Sequence, residues 1–483
     1  MMRLVPRALC VGLGAALASA CAVGPDYHRP QVDTAANYKE SGDWKPSEPN
    51  DVLSRGPWWQ IFNDEVLNDL EAQIDISNQN VKAAAAAFEQ SRALVSQARA
   101  GFWPTIAASL GMQREGAPVG ASNITGVPIG GSGSSTRTQN TFTGGVSANW
   151  DIDIWGKIRR NTESNVASAQ ASSAALAAAR LSAQAELATD YFELRAQDQL
   201  QKLLDDTVVA ETQSLHITES RYKFGVAARA DVVTAETQLL SSQAQQVNAK
   251  IQRAILEHAL AVLLGKQPAE FSLSVATMRS DVPTVPAGVP STLLERRPDV
   301  AEAERSMASA NAQIGVAKAG YFPDLTLSGQ DQYSNSTFSR LFRDSNRIWA
   351  VGPTLAETLF DGGLVRAQVR STRAAYEGTV DSYRQTVLAG FQQVEDQIVT
   401  LRVLEQEGVI EDETVKKARE AEVLTLNQYK AGTVPYSSVI TAQTTRLAAE
   451  ETALQVLSSR LQASVALIEA LGGGWDASMA TAK

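Results

Sequence analysis

The chain is 483 residues long, 44% hydrophobic and 20% charged, with a net charge of −10. It has no dense Lys/Arg block and so no basic face for neutralising phosphates, which excludes a nucleic-acid partner. Two cysteines and three scattered histidines, His28, His216 and His258, supply neither a disulfide framework nor metal-ligand spacing, so no metal or other cofactor is expected.

Residues 1–20 carry Arg3 and Arg7, an apolar run, and Ala18, Ser19 and Ala20, the pattern of a removable secretory signal. The run is shorter than the roughly 20 apolar residues that span a bilayer. Cleavage would discard Cys10 and leave Cys21 first, which resembles the bacterial lipoprotein arrangement in which that cysteine is acylated and two or more chains anchor the protein. Leu17 stands one place further from Cys21 than in that pattern, and Ala22, not Asp, follows it, which in lipoproteins implies transfer to the outer membrane. Residues 21–64 read as an extended arm, because Pro25, Pro30, Pro46, Pro49 and Pro57 block helix, and such an arm needs a surface to lie on.

Helical patterning covers 65–101, breaks near Ser77-Asn78 and is stopped by Pro104. Residues 105–113 and 139–153 read as strands, with Phe142, Val146, Ala148 and Trp150 at even spacing. The Gly-, Ser- and Pro-rich stretch 115–137 between them reads as a loop without a packed core. Residues 157–223 contain no Pro or Gly, and one continuous helix of that length would measure about 100 Å. It ends at Arg221-Tyr222-Lys223-Phe224-Gly225, and a second helix runs to Leu264-Gly265.

After a linker at 266–290 the whole order returns. Ala100-Gly101-Phe102-Trp103-Pro104 comes back as Ala319-Gly320-Tyr321-Phe322-Pro323, strands fall at 324–333 and 347–355, and Gln428-Tyr429-Lys430-Ala431-Gly432 repeats the turn. Leu447, Leu454, Leu461 and Ile468 then recur at sevens, a coiled-coil seam that ends at Leu471-Gly472. The expected organisation is therefore a signal (1–20), an arm (21–64), repeat 1 (65–265), a linker (266–290), repeat 2 (291–472) and a tail (473–483). An internal repeat of this kind decides the architecture.

Strands of about ten residues suit a tilted crossing of an outer membrane. Four strands leave open edges that lipid cannot satisfy, so copies must close them. Two copies would give a barrel of about eight strands, filled by side chains, whereas three would give about twelve and a lumen. A soluble two-hairpin domain is the alternative reading of the strands alone.

Glu295-Arg296-Arg297-Pro298-Asp299-Val300, Ala303-Glu304 and Ala310-Asn311-Ala312-Gln313-Ile314-Gly315-Val316-Ala317 resemble the hallmark of the outer membrane efflux protein (TolC) family, in its OprM/NodT lipoprotein branch. Cys21-Ala22-Val23-Gly24-Pro25-Asp26-Tyr27, Trp150-Asp151-Ile152-Asp153-Ile154-Trp155-Gly156-Lys157 and Leu359-Phe360-Asp361-Gly362-Gly363 are similar to the same branch. The resemblance implies an α+β membrane protein whose tandem-repeat protomer, with four transmembrane strands and long coiled-coil helices, forms a homotrimer. The trimer would be a 12-stranded β-barrel continued by a 12-helix periplasmic tunnel. It also implies a periplasmic adaptor and an inner-membrane proton-driven transporter of the resistance-nodulation-division (RND) class as partners, with lipid through Cys21.

By the same resemblance Gly225, Val226, Gly432 and Thr433 would face the adaptor, and Asp231 would be the tip acid that Arg221 or Arg229 latches in a closed gate. The second-hairpin acids of the family are replaced by Ser438 and Thr441. An exit duct for ATP-driven protein secretion shares this fold and is the alternative function. An enzyme is not expected: Gly265-Lys266 lacks the rest of a phosphate loop, and Gly130-Gly131-Ser132-Gly133 lacks a strand and helix around it.

Overall fold

The computed structural model describes residues 22–31, 38–41, 57–118, 136–283, 285 and 296–475. The secretory signal, Cys21 and its acylation, most of the arm, the middle of the 115–137 loop, Glu295 and the end of the tail lie outside them.

Two short helices, α1 (Glu65–Ser77) and α2 (Gln79–Ala100), meet at the expected break. Asn78 makes that break: its Oδ1 accepts from the Asn80 and Val81 amides at 2.9 and 3.0 Å, capping α2, while its Nδ2 donates to the Leu263 carbonyl at 2.8 Å. Strands β1 (Thr105–Pro118) and β2 (Thr136–Asp151) follow, longer than expected at the loop end. At its other end β2 stops two residues early, because the Asp153 carboxylate leaves the ladder to cap the next helix, accepting from the Ile158 and Arg159 amides at 3.0 and 2.8 Å.

That helix, α3 (Lys157–Lys223), is unbroken for 67 residues and is followed by α4 (Arg229–Leu263). The second copy consists of α5 (Pro298–Ala319), β3 (Asp324–Asn335), β4 (Arg347–Ala356), the 68-residue α6 (Leu364–Ala431) and α7 (Tyr436–Ala470). The strands form one antiparallel sheet in the order β1-β2-β3-β4.

Both helical hairpins end each helix in the same way. The Gly225 amide donates to Tyr222 and the Val226 amide to Arg221, and the Gly432 and Thr433 amides donate to Tyr429 and Gln428, with glycine φ of +75° and +80°. The same motif closes α4 at Gly265 and α7 at Gly472, but there space is also decisive. A Cβ on Gly265 would lie 2.3 Å from the Ser77 carbonyl oxygen, and one on Gly472 would lie 2.0 Å from that of Arg296.

The chain divides into two compact units. One contains the sheet, residues 22–29 and the adjoining parts of α2, α3, α5 and α6. The arm finds its surface here: the Val23 amide donates to the Trp155 carbonyl at 2.9 Å, Asn311 donates to the Pro25 carbonyl at 3.0 Å, and Arg160 pairs with Asp26 at 2.8 Å. A Cβ on Gly24 would lie 2.6 Å from the Gly315 Cα. Two of the quoted motifs are thus one contact, in which small residues let an arm and a helix touch backbone to backbone.

The other unit contains the core. Leu67, Ile74, Leu187, Tyr191, Leu194, Leu260 and Ile468 are buried in it, and Phe62 of a short 3-10 turn (Trp58–Phe62) packs on Phe192 at 4.9 Å. The arm is therefore not wholly extended; apolar Trp58 and Phe62 coil to reach this core. Arg297 explains its motif: it donates to Asp299, to Gln393 and to the Ala470 carbonyl, and so ties the start of α5 to the end of α7. The linker is held by a buried ion network in which Asp198 accepts from Arg195 at 2.9 Å, Arg253 at 2.7 Å and the Ala276 amide at 3.1 Å. The two arginines also donate to the Ser274 and Leu273 carbonyls.

Candidate functional site

Two places can do the work that the sequence implies, namely the hairpin tips and the sheet. At the tips the two hairpins of one chain are joined. The Arg221 guanidinium donates to the Lys430 carbonyl at 2.7 Å and lies 4.7 Å above the Tyr429 ring. Tyr429 packs on Tyr436 and donates to Thr218 at 3.3 Å, in a small core with Ala235 and Val439. Burial, reinforced by nearby Glu211, pushes the Tyr436 hydroxyl up to about 12, and burial also raises Glu211. Further along, Gln443 donates to Ser214 at 3.1 Å and Gln238 to Glu211 at 3.0 Å, so polar rungs fix the register of the hairpins.

The residues expected to form the latch are differently employed within the chain. Asp231 accepts from the Ala228 amide at 3.3 Å, as an acid in the first turn of α4 does, and Arg229 lies 3.9 Å from Glu236. Among the described residues no ion pair joins Asp231 to Arg221 or Arg229. The carbonyl of Lys430 and the ring of Tyr429 take Arg221 instead. The Thr441 hydroxyl turns back onto the Ser437 carbonyl. Gly225, Val226, Gly432 and Thr433 all lie on the exposed turns. Phe224, which the sequence reading passed over, is 84% exposed beside them. Its signal was available: an aromatic residue at the apex of a turn has no neighbour to bury it.

In the sheet, register sorts the side chains onto two faces. Ile106 opposes Ala148, Leu110 opposes Gly144, Trp150 opposes Leu327, and Gly329 opposes Val351, which puts all of these on one face together with Trp349 and Leu355. Ser109, Ser147, Asn149, Thr326, Ser328 and Gln330 take the other. An apolar face that stays exposed (Ile106 70%, Val351 68%), set against a polar one, is the pattern of an outer-membrane strand, lipid outside and water inside. Aromatic residues flank it at both ends. Phe142, Tyr333 and Phe342 lie towards the loops, and Trp103, Trp150 and Tyr321 lie towards the helices. Among the described residues β1 and β4 each present an unpaired edge.

Residues 72–266 and 289–473 match the outer membrane efflux protein family. The chain belongs to that family. The toluene efflux pump outer membrane protein TtgC of Pseudomonas putida is 27% identical over 471 residues, covering 97% of this chain and 95% of the relative. The pyoverdine export outer membrane protein OpmQ of Pseudomonas aeruginosa is 30% identical over 426 residues, covering 87% of each. The outer-membrane channel OprN superposes with a TM-score of 0.86 at 27% identity, covering 94% of this chain and 100% of that one. The CmeC outer membrane channel of Campylobacter jejuni shares the fold at a TM-score of 0.87 and 20% identity, covering 95% of this chain and 96% of that one.

Proposed function

We propose that this family member is the passive exit channel of a tripartite RND-type efflux system, a homotrimer that takes small toxic compounds from an adaptor and an inner-membrane transporter to the exterior. The observation that carries the reading is the sheet: one apolar face, one polar face and two open edges cannot be stable in lipid until neighbouring copies close the ring. Exposed apolar stripes on the helices support the same conclusion. Leu240, Val247, Ile251 and Val262 line one side of α4, and Val403, Ile410 and Leu424 line one side of α6. A stripe of that spacing asks for a partner helix.

The two repeats, joined by the 266–290 linker, would then each contribute one strand pair and one helical hairpin per copy. The tips at Gly225-Val226 and Gly432-Thr433 meet the adaptor, and the Arg221 bridge holds them closed, while Asp231 and Arg229 act between copies only by leaving the Ala228 amide and Glu236. Acylation of Cys21 anchors the arm in the outer membrane. Relatives named for toluene efflux and pyoverdine export favour small cargo over protein secretion.

The test is reconstitution of the purified full chain in planar bilayers, together with mass spectrometry of its mature N-terminal peptide. A trimer with discrete conductance steps and an acylated Cys21 is expected. A monomer that does not conduct would refute the channel, and an unmodified Cys21 would refute the anchor alone.

A further inference from the structure

The connection from β3 to β4 folds back on the sheet. Phe338 packs on Phe142 at 5.6 Å and Phe342 on Tyr333 at 5.5 Å. Leu341 is fully buried, with a methyl 3.5 Å from where a Cβ on Gly144 would stand. Phe142, Gly144 and Tyr333 share the apolar face by register, so the connection lies on the lipid side of the sheet. The turn is laced shut, the Arg343 amide donating to the Arg340 carbonyl at 3.3 Å and the Asn346 side chain to the same carbonyl at 2.6 Å. Arg340 and Arg343 are exposed on it, and among the described residues neither has an ion-pair partner.

Arg347 continues the strip, and Asp331 on the neighbouring strand grips it with two bonds of 2.7 and 2.8 Å. Below Arg347, on the same face of β4, come Trp349, Val351, Pro353 and Leu355. The row therefore descends from guanidinium through indole to aliphatic carbon, which is the polarity profile of a single lipid molecule.

We propose that this strip is a binding site for a phosphorylated, multiply acylated lipid of the outer leaflet. Arg340 and Arg343 take a phosphate, Asp331 holds Arg347 in position beside it, and the acyl chains lie along Trp349, Val351 and Leu355. Guanidinium groups match phosphate oxygens with paired donors. Three arginines face two carboxylates here, Asp331 and Asp344, so recognition rests on donor geometry more than on net charge. A free phosphate would leave the apolar row unused. The inference rests on the channel reading above, which puts the loop end of the sheet at the outer surface.

The full-length chain, purified and placed in phosphatidylethanolamine nanodiscs, is offered bis-phosphorylated lipid A or its dephosphorylated form, and retained lipid is counted by native mass spectrometry. The phosphorylated form should be retained at least about tenfold better, inorganic phosphate should not displace it, and Arg340→Ala/Arg343→Ala should lose about tenfold while Arg340→Lys/Arg343→Lys loses less. Equal retention of both lipids by the unaltered chain, displacement by inorganic phosphate, or full retention by the alanine pair would overturn the site. The lipid comparison on the unaltered chain decides the matter even if a variant fails to insert. A chain that conducts but does not discriminate sinks only this inference, whereas one that never conducts sinks the channel reading.

Discussion

Arg221 at the end of α3 and Tyr429 near the end of α6 stack 4.7 Å apart although they come from different hairpins. With the 2.7 Å bond to the Lys430 carbonyl, this contact makes the two tips of one chain a single body. Arg221→Ala should loosen both turns by about 1–2 kcal/mol, read as faster amide exchange at 222–226 and at 429–433 together. Arg221→Lys retains charge but not stacking and should fall between. If only the first turn loosens, the two tips are independent.

The hairpin glycines should separate into two classes. Gly225→Ala meets no neighbouring atom and bears only the left-handed backbone penalty of about 1–2 kcal/mol. Gly472→Ala also drives a Cβ into the Arg296 carbonyl and should abolish folded protein. Thermal unfolding yields that rank the two equally would contradict the packing described.

Among the described residues Asp198 alone accepts from both Arg195 and Arg253. Asp198→Ala leaves two largely buried guanidinium groups short of a partner, at a cost of about 3–5 kcal/mol, and frees the linker. Limited proteolysis should then cut at 271–276 faster than in the unaltered chain.

Glu71 is buried with neither carboxyl oxygen hydrogen-bonded among the described residues. Burial, and secondarily Asp75, pushes it up to about 9. A carboxyl raised in the folded state stabilises less as pH climbs from its unfolded value, so stability should fall between about pH 4.5 and pH 9. Glu71→Gln should flatten that slope and gain up to about 5 kcal/mol at pH 8, as read by denaturant titration across pH.

Val247→Glu puts a charge into the exposed stripe of α4 while leaving the core of the chain intact. Sedimentation should show trimer giving way to folded monomer. An unaffected trimer would move the seam to another face.

What the sequence made legible was whatever is locally encoded. Asn78 breaks a helix by its own side chain, Gly225 and Gly432 turn the chain by their own φ, and even spacing from Phe142 to Trp150 sorts a strand onto two faces. The ends of β1 and β2 were missed because the Gly- and Ser-rich composition beside them says turn, while cross-strand pairing carries the ladder on. The site was half readable. Arg221 stood out as a tip residue, but its partner lies 209 residues away, and Asp231 was nearer in sequence. Nothing local distinguishes an arginine that will pair with an acid from one that will take a distant carbonyl.

The seat of the arm has a consequence for assembly. Pro25 is held by Asn311, 286 residues later, and Gly24 lies against Gly315 of the same helix. The arm can meet Trp155 and Arg160 early, but its seat stays incomplete until α5 has arrived, and a contact closed over so long a loop forms late. An arm held at those two points alone would spend much of its folding time half seated. Completion of its seat would then mark the arrival of α5.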